Sequence, residues 1–110
     1  MKQYVIDELR ATDYENLKAY LEEKFGSSSV GDIFWIPIDE KILTPVQAEH
    51  AECQPFHFAL DLEPNLLACE LLVRTKSNVR CNCIAYATEH QRNWLISKVE
   101  SIFTHLNIIT

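Results

Sequence analysis

Apolar and polar positions alternate most cleanly in the middle of the chain. Phe56, Phe58, Leu60 and Leu62 are separated by His57, Ala59 and Asp61, the period-two signature of a half-buried strand. Residues 67–74 repeat it, with Leu67, Cys69, Leu71 and Val73 on one face. Glu63-Pro64-Asn65-Leu66 between them has proline where a type I turn wants it. That loop sets Phe58 opposite Leu71 and Leu60 opposite Cys69, so the two apolar faces coincide and the register is specified. A further turn at Lys76-Ser77-Asn78 leads to a strand over 79–87, whose inner face is Val79, Cys81, Cys83, Ala85 and Ala87.

Two segments switch to helical spacing. Tyr14, Leu17, Leu21 and Phe25 recur on one side, with Glu15, Lys18, Glu22 and Glu23 opposite. Thr12 and Glu15 form a candidate capping box, and Gly26 stands where a helix ends, so the first helix is placed at 12–25. Trp94, Leu95, Val99, Ile102, Phe103 and Leu106 give a second, wide apolar face. Thr88 is its cap and Gln91 its third helical residue, which places that helix at 88–107. Thr44-Pro45 starts a short helix over 45–53.

Residues 2–9 carry enough β-formers for a first strand. Ile33-Phe34-Trp35-Ile36 is apolar on both faces, as suits an inner strand, and Pro37 closes it. The order is β-α-β-(short α)-β-β-β-α. Short connections imply mainly antiparallel pairing, so the expected architecture is a single α+β domain over 1–110. It is a two-layer sandwich of about five strands with both main helices on one face. The β-α-β start allows one parallel pair through a right-handed crossover.

Composition changes this picture little. At 110 residues and 47% apolar content the chain has a core of its own and needs neither metal nor disulfide for reasons of size. The net charge of −6 repels phosphate backbones, and the basic residues do not cluster, so nucleic acid is excluded as an expected partner. Acidic residues interrupt the N-terminal segment by position 7, and no apolar run approaches the roughly 18 residues of a membrane span. The expectation is a cytoplasmic protein that does not bind membranes, with its four cysteines reduced.

Candidate chemistry gathers in two places. His50, Cys53, Cys81 and Cys83 carry imidazole and thiolate, the ligands of a structural zinc, with Cys69 or His57 as substitutes. A Cys-x-Cys pair in a regular strand spaces its side chains about 6.5–7 Å apart on one face. That is too far to share a tetrahedral ion at about 2.3 Å per Zn–S bond unless the strand bends. Cys81 and Cys83 therefore read first as small core residues beneath the last helix. Zinc is the alternative, and a thiol-dependent enzyme or redox sensor the second. His50 reads as a helix-end histidine and His57 as a surface one.

The second place is the sheet face turned away from the helices: His57, Asp61, Glu70, Leu72, Arg74, Arg80, Asn82, Ile84 and Tyr86. It mixes charge with Leu72, Ile84 and Tyr86 on a rigid platform, which suits a protein partner or a homodimer contact. A register aligning Cys81 with Val73 sets Arg74 beside Arg80, a like-charge contact. No nucleophile elbow, dinucleotide fingerprint, phosphate loop, zincin or EF-hand pattern occurs. No cofactor is expected, and the chain reads as a binding or protein-interaction domain rather than an enzyme.

Overall fold

The structure, a computed structural model, describes residues 2–26, 31–75 and 83–109. The chain runs β1 (Gln3–Ile6), α1 (Ala11–Phe25), β2 (Ile33–Pro37), α2 (Pro45–Glu49), β3 (Phe56–Glu63), β4 (Leu66–Glu70), β5 (Leu72–Thr75), β6 (Ala85–Tyr86) and α3 (Glu89–His105). Single 3-10 turns at Glu40–Ile42 and Ala51–Cys53 flank α2. The fold is α+β with an antiparallel sheet, as the alternation implies.

β3 is the centre of that sheet. Asp61 pairs with Ile33 of β2 and with Ala68 of β4, and His57 pairs with Pro37 of β2 and Arg74 of β5. A residue that pairs twice does so across opposite edges, so β2 lies on one side of β3 and β4–β5 on the other. The hairpin register holds near its turn, where Leu60 faces Cys69 and Leu62 faces Leu67. Further along it shifts. Phe56 faces Thr75 and His57 faces Arg74, so Phe58 and Ala59 are set against four residues, 70 to 73, and Phe58 does not face Leu71.

This double insertion is a bulge that divides the expected strand 67–74 into β4 and β5. The shift is by two residues, so every side chain keeps its face. Beyond the bulge two different strands take the outer edge, β1 along β4 and β6 along β5. Leu71 joins them: its N–H donates to the Lys2 carbonyl at 3.0 Å, and its carbonyl accepts from the Ala87 N–H at 2.7 Å.

Several expectations are corrected here. β1 is shorter than 2–9 and pairs antiparallel with β4, not parallel with β2. β2 pairs with β3 alone among the described residues, so its two apolar faces do not make it an inner strand. The short helix ends at Glu49, and a 3-10 turn replaces its second half. Among the described residues β6 spans Ala85–Tyr86, and Val73 faces Ala85 rather than Cys81. That pairing differs by four residues from the register that set Arg74 beside Arg80. Val79, Cys81, Arg80, Asn82 and the turn at 76–78 lie outside the described residues.

Capping explains where the helices begin. Thr44 and Thr88 act as expected: each hydroxyl accepts the N–H of a glutamine three residues on, and each glutamine side chain accepts the threonine N–H. α1 starts differently, at Arg10 rather than Thr12. The Asp13 carboxylate accepts the Arg10 N–H at 3.1 Å and two guanidinium donors, Nε at 3.0 Å and Nη2 at 3.1 Å. A charge-assisted fork at the positive end of a helix outcompetes a neutral threonine cap. Gly26, at φ 84°, ends α1 as expected.

The core follows from the alternation. Phe56, Phe58, Leu60 and Leu62 of β3 share one cluster with Phe34 and Ile36 of β2, Leu67 and Cys69 of β4, and Val73 of β5. Leu17 and Leu21 of α1 and Leu95, Val99, Ile102 and Phe103 of α3 belong to the same cluster. Trp94 stacks on Phe58 with ring centres 6.4 Å apart, and Tyr20 of α1 meets His105 of α3 at 5.6 Å.

Candidate functional site

The sheet has a second row of side chains, opposite in parity to the core row. β2 contributes Ile33 and Trp35, β3 contributes His57, Ala59 and Asp61, and β4 contributes Ala68 and Glu70. β5 adds Leu72 and Arg74, β1 adds Val5, and β6 adds Tyr86. Of the expected face residues, the structure therefore brings together His57, Asp61, Glu70, Leu72, Arg74 and Tyr86. Ile84 is half-buried just before β6, and Arg80 and Asn82 fall outside the described residues.

Two ordinary consequences of register shape this face. Trp35 stands opposite Ala59, and the small alanine leaves room for the indole to lie across the strand. It meets the His57 ring edge-on, with centres 6.1 Å apart. His57 is consequently buried, at 8% exposure, which corrects its reading as a surface histidine. The second consequence belongs to the bulge. Residues four apart in a regular strand are separated by about 13 Å, yet Arg74 Nε lies 2.5 Å from Glu70 Oε1. The extra residues at the bulge bring the two side chains together into a partly buried ion pair.

Two large apolar side chains stand out from this face. Tyr86 is 46% exposed and Val5 45% exposed, two of the four large apolar residues that are well exposed among those described. The Lys2 ammonium sits 5.2 Å from the centre of the Tyr86 ring, a cation–π contact. Among the described residues of the face and its rim, Lys2 and Arg74 stand against Asp61 and Glu70, on a chain of net charge −6. Val5, Trp35 and Ile33 were not among the expected face residues. Their membership depends on which strands pair with β3 and β4, and alternation within a strand carries no such information.

Of the cysteine and histidine set, the structure describes His50, Cys53, His57, Cys69 and Cys83. Cys53, Cys69 and Cys83 are buried thiols. Cys83 is 1% exposed and belongs to the core cluster, in agreement with the packing reading. Burial pushes the Cys69 thiol up to about 12, which keeps it protonated and unreactive in the folded chain. His50 caps α2, with Nδ1 2.8 Å from the Val46 carbonyl, as a helix-end histidine should. Among the described residues no group of three or more His, Cys, Asp or Glu side chains is arranged to hold a metal ion. Cys81 is outside those residues.

Among the described residues no helix is long and apolar enough to cross a membrane. Comparison of the chain with protein-family models, curated proteins and solved structures gave no match.

Proposed function

We propose that this protein acts by binding, through the sheet face of Val5, Trp35, Leu72 and Tyr86, and that the occupant is a second copy of the chain. The observation that carries the reading is the combination of exposure and charge. Tyr86 and Val5 stand out from a rigid sheet, and tyrosine and tryptophan are the side chains that most often anchor protein contacts. Among the described residues the same region carries both signs equally, with Lys2 and Arg74 set against Asp61 and Glu70. On a chain of charge −6 this is where a copy approaches with least repulsion, and a face carrying both signs can complement itself across a two-fold axis.

Sedimentation of wild type and Tyr86→Arg tests the reading. A dimer in the wild type, weakened roughly thirtyfold or more by Tyr86→Arg, is the expected outcome, the size of effect typical of an anchoring aromatic. Wild type that stays monomeric in concentrated solution overturns self-association. Dimerisation unaffected by the substitution removes this face as the contact. Monomeric wild type that captures a different protein, with capture lost in Tyr86→Arg, assigns the face to a heterologous partner instead.

A further inference from the structure

Between Ile38 and Phe56 the chain leaves the sheet and returns to it. The Ile38 N–H donates to the Phe56 carbonyl at 2.9 Å, so the excursion is closed at its base by the β2–β3 ladder. Within residues 39–55 only Gln47 and Cys53 are buried, and Ile42 and Leu43 are partly buried against the core. Hydrophobic attachment is thin for a segment of this length.

Among the described residues it is also held by polar contacts. Gln91 Nε2 donates to the Ile42 carbonyl at 3.1 Å and to Gln47 Oε1 at 2.9 Å. Gln47 Nε2 donates to the Cys83 carbonyl at 3.4 Å, and Thr75 Oγ1 to the Cys53 carbonyl at 2.6 Å. Gln47 and Gln91 are the third residues of two capping boxes, 1% and 0% exposed. Each amide therefore closes its own helix start and holds the other. A buried network of this kind stabilises strongly when complete and costs strongly when broken, because each lost partner leaves a buried polar group unsatisfied.

From this arrangement we infer that residues 39–55 are a latched strap, which opens as a unit while the sheet stays folded, with the Gln47–Gln91 amide pair as its latch. Opening breaks the hydrogen bonds above, among others, and delivers Cys53 to solvent. It leaves the pairing of β2 with β3 intact, because the base of the excursion is already closed. Cys69, in the middle of β4 and paired on both sides, is reached only when the sheet itself unfolds. The strap is thus a local opening of lower free energy than global unfolding.

Thiol alkylation of the full chain with N-ethylmaleimide, read peptide by peptide by mass spectrometry, tests this. In wild type, Cys53 is expected to label roughly tenfold or more faster than Cys69, with a rate nearly independent of urea below the unfolding transition. Cys69 labelling should rise steeply with urea. Gln91→Ala should speed Cys53 and Cys69 labelling by a similar factor of roughly tenfold or more, because the latch is broken in the open strap and in the unfolded chain alike, whereas Leu62→Ala, at the far end of β3, should speed Cys69 labelling roughly tenfold or more and leave Cys53 nearly unchanged. Equal rates and equal urea dependence for the two thiols in wild type overturn the strap. So does a Leu62→Ala variant that accelerates both equally. The wild-type urea series decides the question even where the variant folds poorly.

Discussion

Replacing Phe58 by alanine tests which face of the sheet is the core. Phe58 is fully buried in the middle of β3, with Ile36 opposite it on β2 and the Trp94 ring stacked on it. Truncating a phenylalanine so enclosed removes its transfer free energy and leaves a cavity, a loss of about 3–5 kcal/mol. Against a typical domain stability of about 5–15 kcal/mol this is a large share. With a urea slope of roughly 1–3 kcal/mol per molar, the unfolding midpoint should fall by about 1.5–3 M. Trp35→Ala is the matched comparison. Trp35 is equally aromatic, one strand away and half-buried on the opposite face. In dilute solution it should cost less, about 1–2 kcal/mol, since part of its surface is already in water. Urea unfolding followed by circular dichroism measures both. A Trp35→Ala loss equal to or larger than that of Phe58→Ala would refute the assignment of inner and outer rows.

Substitutions at three further sites address how the helices are held. Thr88→Ala removes the hydroxyl that accepts the Gln91 N–H at 3.1 Å and should cost about 0.5–2 kcal/mol, whereas Thr88→Ser should cost much less; thermal unfolding separates them. The Arg10 side chain holds the Asp13 carboxyl below its ordinary range. Its contribution is therefore complete above the unfolded value of about 3.9 and lost as pH falls through the lower folded value. The difference in Tm between wild type and Asp13→Asn should shrink over that acid window, and a difference that persists below it would contradict the role of the charge. Gly26→Ala places a β-carbon where nothing lies within 4 Å but φ is +84°. Backbone strain alone should cost about 1–3 kcal/mol, read from urea unfolding.

The sequence is informative where one residue type has one physical consequence. The alternation over 56–62 identifies both faces of β3, and the Thr44-Pro45 and Thr88 caps locate two helix starts to the residue. It is silent where the outcome depends on distant partners. The bulge at Leu71 shifts pairing by two, which leaves alternation untouched and so leaves no trace in it. The choice of β4 rather than β2 as the partner of β1 rests on sheet topology, because a short β-rich segment such as 3–6 suits either. The candidate face divides the same way. Asp61, Glu70, Leu72, Arg74 and Tyr86 follow from parity alone. Trp35 joins them, and His57 sinks beneath it, only because β2 is aligned with Trp35 opposite Ala59. Competition between caps is a third limit: Thr12 and Glu15 match a capping pattern, and the Arg10–Asp13 fork prevails because it is charged.

The fluorescence of Trp35 tests the binding face most directly. Trp94→Phe leaves Trp35 as the sole indole and keeps an aromatic ring on Phe58. If a second copy covers the outer row, emission should shift to the blue and acrylamide quenching should weaken as the protein is concentrated, and both changes should vanish in the Tyr86→Arg background. Emission and quenching that stay constant from dilute to concentrated solution would contradict the account, because Trp35 would then remain open to solvent however many copies surround it.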